Sequence, residues 1–243
     1  MHIYLAPHCD DVCFSISNWA ERHGGLLVSL FTRTTYSAIP LPFTDEQCSH
    51  LEVVRRTREA EDIAFASEIG LDRDDLMLDD AILSHSDPFA EGDIRSDVAL
   101  LGKVLLPFLI ERFSQSANWR ENFLYCPMAI GGHRDHRIVL NCIISAIEQL
   151  STFATVALYE DLPYASHPAT RCAGIERLDS LINLTNASIH IGILGPNDTK
   201  RKMSLINLYK SQHREAPHEA DYIPASRLSP SVHEIIKFIP KFN

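Results

Sequence analysis

Several things are scarce or missing in this 243-residue chain, and each absence narrows what it can do. Basic charge is scarce: 22 Lys and Arg face 32 Asp and Glu, a formal net charge of −10 at pH 7, which argues against a nucleic-acid or anionic-membrane surface. No apolar run approaches the roughly 18 residues of a spanning helix. Six cysteines, at positions 9, 13, 48, 126, 142 and 172, make no CxxC pair, which excludes a zinc ribbon. They are expected to be reduced and mostly buried as small hydrophobes. No basic segment leads into an apolar one at the start, so no signal peptide is expected. The glycosylation-type triplets at Asn183, Asn186 and Asn197 therefore carry no weight. Internal repeats and low-complexity segments are absent, and no Gly-rich diphosphate loop follows the first apolar run, which weighs against glycosyl transfer. The expectation is a cytoplasmic protein with no nucleic-acid partner and no membrane span.

What is present is a composition ordinary for a globular chain, 45% hydrophobic and 22% charged, long enough to bury a substantial core. Short apolar runs alternate with helix-period stretches. Residues 2–6, 26–31, 76–78, 123–126, 154–159 and 188–194 read as strands. Residues 12–23, 45–69, 93–113, 133–150 and 200–212 read as helices, with Gly70 closing the second, Pro107 inside the third as a possible kink, and Asn197 or Asp198 capping the last. Such alternation predicts an α/β fold, a Rossmann-like, mostly parallel sheet with helices on both faces. One domain over 1–243 is expected, with a core of about 1–213. Pro217, Pro224, Pro230 and Pro240 suggest an irregular tail over about 214–243. Residues 32–44, 79–93 and 161–176 are the loops expected to set specificity.

The chemistry gathers behind two strand-like runs. Ile3 to Ala6 ends at Pro7-His8-Cys9-Asp10-Asp11, and Phe123 to Cys126 leads through Pro127 to Gly131-Gly132-His133-Arg134-Asp135-His136. Loops leaving the carboxyl ends of parallel strands hold ligands in open α/β sheets. A plainer account makes the Asp pair a helix cap. Two His/Asp clusters in matching positions favour a metal. Imidazole plus carboxylate suits a catalytic zinc or non-haem iron. With His8, Asp11 and His136 as three ligands, one position stays open, as in catalytic zinc sites. Metal-bound hydroxide is then the nucleophile, and Asp10, left without a ligand role, is placed as general base. His133, one turn before His136, is placed to stabilise an oxyanion or protonate a leaving amine, and Asp135 to orient an imidazole.

These residues carry a family resemblance. Pro7-His8-Cys9-Asp10-Asp11 resembles the (A/P)-H-x-D-D signature of the PIG-L/LmbE-like superfamily of metal-dependent (zinc) de-N-acetylases, and the segment from Pro127 to His136 resembles its H-x-D-H signature. Supporting likenesses are the helix from Arg58 through Glu61 to Gly70, the stretch from Leu158 through Tyr159, Glu160 and Asp161 to Tyr164, and Tyr209 with Ser211 and Gln212. The matches run from residue 3 to about 212 in the family's order. The resemblance implies His8, Asp11 and His136 as metal ligands, Asp10 as base and His133 as assistant to the tetrahedral intermediate. Two positions depart from it: Val12, commonly acidic, and Cys9, commonly proline, which is either a packing residue or a competing thiolate.

The expected function is therefore hydrolysis of an N-acetyl group from an amino sugar, such as an N-acetylglucosamine unit, or a sugar conjugate, with Zn2+ or Fe2+ as cofactor. Arg58, Tyr159, Asp161 and Asp135 are candidates for substrate contact or for orienting the ligands; Arg58 and Glu61 are expected as a buried pair orienting the first loop. Tyr36 is expected to anchor its loop rather than cover the site. A 2-His-1-carboxylate iron oxygenase uses the same ligands but a β-barrel scaffold, and leaves Asp10 idle. A catalytically silent binding protein is the third reading; it would be favoured by loss of Asp10 or His136, and both are present. Few clustered Lys or Arg near the loops weigh against a highly phosphorylated substrate.

Overall fold

In the computed structural model, the first apolar run forms β1 (His2–Ala6), near the middle of a seven-stranded sheet. The structure describes residues 1–41, 49–85, 87–116, 121–185, 190–193, 198–213, 217–224 and 235–239, with backbone alone for 190–193 and 235–239. The end of the first expected loop, the expected helix start at 45–48, the ends of the expected strand at 188–194, and Asn197 lie outside those residues.

After β1 come α1 (Asp11–His23), β2 (Leu26–Ser29), α2 (His50–Ile69), β3 (Asp72–Asp75), α3 (Ala81–Ser84) and α4 (Arg95–Ser114). Then follow β4 (Phe123–Pro127), α5 (Arg134–Ser145), α6 (Ile147–Leu150), β5 (Thr155–Tyr159), α7 (Pro168–Ile182), β6 (His190–Ile193), α8 (Thr199–Ile206) and β7 (Ile235–Ile239). The strand order is β3-β2-β1-β4-β5-β7-β6. β1 to β5 pair in parallel, and β7 runs antiparallel between β5 and β6. β1 reads as unbroken apolar sequence because both its faces are covered: Ile3, Tyr4, Leu5 and Ala6 are fully buried. The helices pack in two groups, α1 with α2 and α8, and α5 with α4, α6 and α7. Two groups are what a sheet whose order reverses between β1 and β4 requires.

Local chemistry explains the boundaries. Ser49 caps α2, its Oγ accepting from the Glu52 N–H at 3.3 Å, and Gly70 ends it in the left-handed region at φ 71°. Asp198 caps α8 by accepting from the Arg201 N–H at 2.9 Å. α4 runs unbroken through Pro107.

Four expectations need correction. The strand expected at 76–78 is instead β3 at Asp72–Asp75, a charged edge strand. Met77 has φ 52° and cannot continue a strand. The charges of β3 are paired: Arg73 with Asp75 and with Asp62 of α2, and Asp74 with Arg112 of α4. The helix expected over 133–150 breaks at Ala146 into α5 and α6. The stretch 161–176, expected as a loop, includes most of α7, which starts with Pro168 in its first turn and buries Gly174, Leu178 and Ile182. Of the tail expected to be irregular, residues 214–216, 225–234 and 240–243 lie outside the described residues, and 235–239 form β7, which pairs between β5 and β6. Among the described residues no helix is long and apolar enough to cross a membrane.

Candidate metal centre

The point where the strand order reverses, between β1 and β4, opens a crevice at the carboxyl ends of the strands. β1 delivers residues 7–11 there, β4 delivers 128–136, and β5 delivers 160–164. The cleft is lined by His8, Asp10, Asp11, His133, His136 and Arg58, with Tyr36, Phe14, Phe89 and Tyr164 as aromatic walls.

Asp10 occupies the N-cap position of α1, but its side chain makes no cap bond. The plainer capping account therefore fails. Instead its Oδ1 accepts from Arg58 Nη2 at 2.7 Å, with Arg58 itself buried on α2. Asp11 turns the other way: its Oδ2 accepts from the His8 N–H at 2.6 Å and faces both imidazoles. Two adjacent carboxylates thus take different directions from one tight turn.

Three donor atoms form a nearly equilateral triangle. Asp11 Oδ2 lies 3.5 Å from His8 Nδ1 and 3.3 Å from His136 Nε2, and the two nitrogens are 3.2 Å apart. Donors held at about 2.0–2.1 Å around a tetrahedral ion are separated by about 3.3 Å, so this set fits a divalent cation. Behind each imidazole sits a carboxylate. His8 Nε2 bonds Asp135 Oδ2 at 3.0 Å, and His136 Nδ1 bonds Asp161 Oδ1 at 2.6 Å. Both carboxylates are also held by backbone N–H groups, Asp135 by Ala81 at 3.0 Å and Asp161 by Ile130 at 2.9 Å. Each ring is thereby oriented with its other nitrogen towards the triangle.

The electrostatics agree. Burial alone would lower the His8 and His136 imidazoles, yet the surrounding carboxylates outweigh it. His8 is raised to about 9 through Asp11 and Asp135, and His136 well above its usual range through Asp11 and Asp161. Burial would raise Asp11, but His136 and His8 pull it far below the usual carboxylate range. A field that draws protons onto two imidazoles is one that attracts a cation.

His133 differs from its neighbours. One of its nitrogens also comes within 4.8 Å of a ring nitrogen of His8 and of His136. Its Nδ1, however, accepts the Asp135 backbone N–H at 3.3 Å, as the N-cap of α5. That leaves the proton of the neutral ring on Nε2, as a donor. Burial, with the charges of His8 and His136, lowers this imidazole to about 3. Phe89 stands edge-on to it, with ring centres 5.2 Å apart.

Other sequence candidates fall elsewhere. Tyr159 is fully buried and its hydroxyl donates to Leu5 O at 2.7 Å, so it ties β5 to β1 and does not reach the cleft. Glu160 is buried in a two-pronged pair with Arg171 of α7. Glu61 is not the partner of Arg58: it accepts from Ser211 N and Oγ at 2.7 and 2.6 Å. Cys9 is in the core, and burial pushes its thiol up, which makes it a packing residue rather than a thiolate. Val12 is likewise core. Tyr36, expected only to anchor its loop, lines the cleft at 49% exposure. Sequence reasoning missed Phe89 and Tyr164 as cleft walls. Tyr164 had a readable signal in Gly131, where a Cβ would fall 2.4 Å from the Tyr164 ring.

No family model matches the chain, and no curated protein matches it either. Solved structures do share its fold. A deacetylase of the teicoplanin biosynthetic pathway, in complex with teicoplanin, superposes with a TM-score of 0.68 at 16% identity, over 100% of this chain and 98% of that one. The zinc-inhibited form of teicoplanin deacetylase Orf2 gives 0.67 at 17%, with the same coverage. The N,N'-diacetylchitobiose deacetylase of Pyrococcus horikoshii gives 0.52 at 17%, over 88% of this chain and 71% of that one. The fold is that of these deacetylases.

Proposed function

We propose that this chain is a metal-dependent hydrolase of the PIG-L/LmbE-like type that removes an N-acetyl group from an amino sugar or sugar conjugate. The observation that carries the reading is the donor triangle of His8, Asp11 and His136, flanked by a carboxylate outside it and a neutral imidazole donor. A divalent ion held by those three residues would acidify a water and polarise the acetamide carbonyl. Asp10 takes the water's proton; Arg58 occupies its Oδ1, which leaves Oδ2 for that task. His133 Nε2–H donates to the carbonyl oxygen as negative charge develops there. Asp135 and Asp161 keep the two imidazoles turned correctly. Water and amide go to acetate and free amine. Phe89 and Tyr164 offer flat apolar faces to a sugar ring.

An oxygenase would share the ligands but give Asp10 and Arg58 nothing to do. Zinc and ferrous iron both suit two imidazoles and a carboxylate. A cytoplasmic location is part of the proposal, supported by Cys9, Cys126 and Cys142, which are buried in the core outside any disulfide. The test is acetate and amine release from a panel of N-acetylglucosamine, N,N'-diacetylchitobiose and alkyl or aryl N-acetylglucosaminides, with either metal supplied. Equimolar acetate and amine from at least one is expected. No acetate from any acetamido sugar with either metal overturns the proposal.

A further inference from the structure

Helix α4 carries apolar residues on its outer as well as its inner face. Its inner face, Leu101, Leu105, Leu109 and Phe113, is buried, and the helix packs on α5. A surface helix ordinarily places charged and polar residues on the opposite face. Here that face carries Leu100 at 61% exposure and Val104 at 46%, with Ala99 and Pro107 also exposed. Beside them an apolar groove opens between α3 and α4, lined by Leu78, Ala81, Leu100 and Val104 among others.

The charges on this face identify its occupant. Lys103 and Glu111 are both exposed, four residues before and four after Pro107, which sits at the centre of the outer face. About a two-fold axis at Pro107, an antiparallel copy of α4 brings Lys103 against the partner's Glu111, and Glu111 against the partner's Lys103. The same operation sets Val104 opposite the partner's Ile110, and Leu100 opposite the partner's Ser114. A parallel arrangement would oppose like charges. A pattern that complements itself under a two-fold is the requirement for an isologous interface. Pro107 presents only a short ring at the crossing point, so the two helices can approach closely. We propose that the outer face of α4 pairs with the same face of a second copy of this chain, antiparallel about Pro107. The apolar residues supply the affinity, and the ion pairs fix orientation and register.

The proposal is tested on the full chain by light scattering after size exclusion and by sedimentation. The wild-type protein is expected to be a dimer. Leu100→Glu should be a monomer with an unchanged circular-dichroism spectrum, because the side chain is exposed, and with an unfolding midpoint that no longer depends on protein concentration as the wild type's does. Lys103→Glu and Glu111→Lys should each weaken the dimer roughly tenfold or more, by opposing like charges. Mixing those two variants should restore a heterodimer, and the double variant K103E/E111K should restore a homodimer. A wild-type monomer at the highest concentration the protein tolerates overturns the proposal. So does a dimer indifferent to Leu100→Glu. Failure of both charge rescues overturns the antiparallel register, and with it the assignment of this face to a second copy.

Discussion

Removing the Asp161 side chain should separate the metal site from the fold that holds it. Asp161 is buried and uses both oxygens: Oδ1 accepts from His136 Nδ1 at 2.6 Å and Oδ2 from the Ile130 N–H at 2.9 Å. Asp161→Ala removes the acceptor that fixes the His136 tautomer. Loss of such a partner weakens metal affinity about 10- to 100-fold, or about 1.4–2.8 kcal/mol. It also strands a buried backbone N–H, at about 1–3 kcal/mol of stability. The two effects are read separately, the first by competition with a chromophoric chelator and the second by denaturant unfolding of metal-free protein. Asp161→Asn can still accept from the Ile130 N–H with its oxygen, so stability should largely return while metal affinity stays low, since its NH2 end then faces His136 Nδ1 and cannot accept from it. A folded Asp161→Ala protein with wild-type metal affinity would refute the reasoning, because His136 would then need no orienting carboxylate.

The neighbouring carboxylates should divide the work: Asp10→Asn keeps the metal but loses turnover by roughly 100-fold or more, whereas Asp11→Asn loses metal affinity and regains activity at high metal concentration. The opposite pattern would exchange their roles. Gly131→Ala puts a Cβ 2.4 Å from the Tyr164 ring and should cost about 1–3 kcal/mol in denaturant unfolding; an unchanged midpoint would show that Tyr164 moves aside freely. His2 gives a pH signature far from the cleft, its imidazole being lowered to about 4 by burial, by His23 and by the N-terminal ammonium. The unfolded chain then binds that proton more tightly, so stability is complete above about 6.5 and falls as pH drops towards 4. His2→Gln should flatten that part of a stability-versus-pH curve, and an identical slope in variant and wild type would exclude His2 as its source.

How far the sequence reveals this structure depends on whether a residue's role is local. The two groups that meet in the cleft are legible because each is compact in sequence: His8, Asp10 and Asp11 follow β1 at once, and His133 and His136 lie one turn apart in the segment that follows β4. The parallel core was legible for the same reason: β1 and β4 are buried runs ended by proline or by the site itself. What stayed hidden rests on pairing across long stretches of chain. β3 is an edge strand made of charges, whose partners Asp62 and Arg112 come from other elements. β7 joins β5 from a proline-rich region nearly 80 residues further on. α7 has a glycine where a larger side chain would mark its inner face, because Gly174 lies against Ile130, with only 2.6 Å from its ideal Cβ to the Ile130 Cα. Asp161 was visible as a polar residue at a strand end, but its hydrogen bond to His136 spans 25 positions and leaves no local mark.

The most direct test of metal-dependent de-N-acetylation is one cycle on one sample: acetate release from an N-acetylglucosaminide before chelation, after chelation, and after a single equivalent of zinc or ferrous iron is returned. The account predicts activity that falls to background on chelation and returns with about one ion per chain, and no such return in Asp11→Ala. Acetate release that persists in the fully chelated protein, or that returns in Asp11→Ala as it does in the wild type, would contradict it.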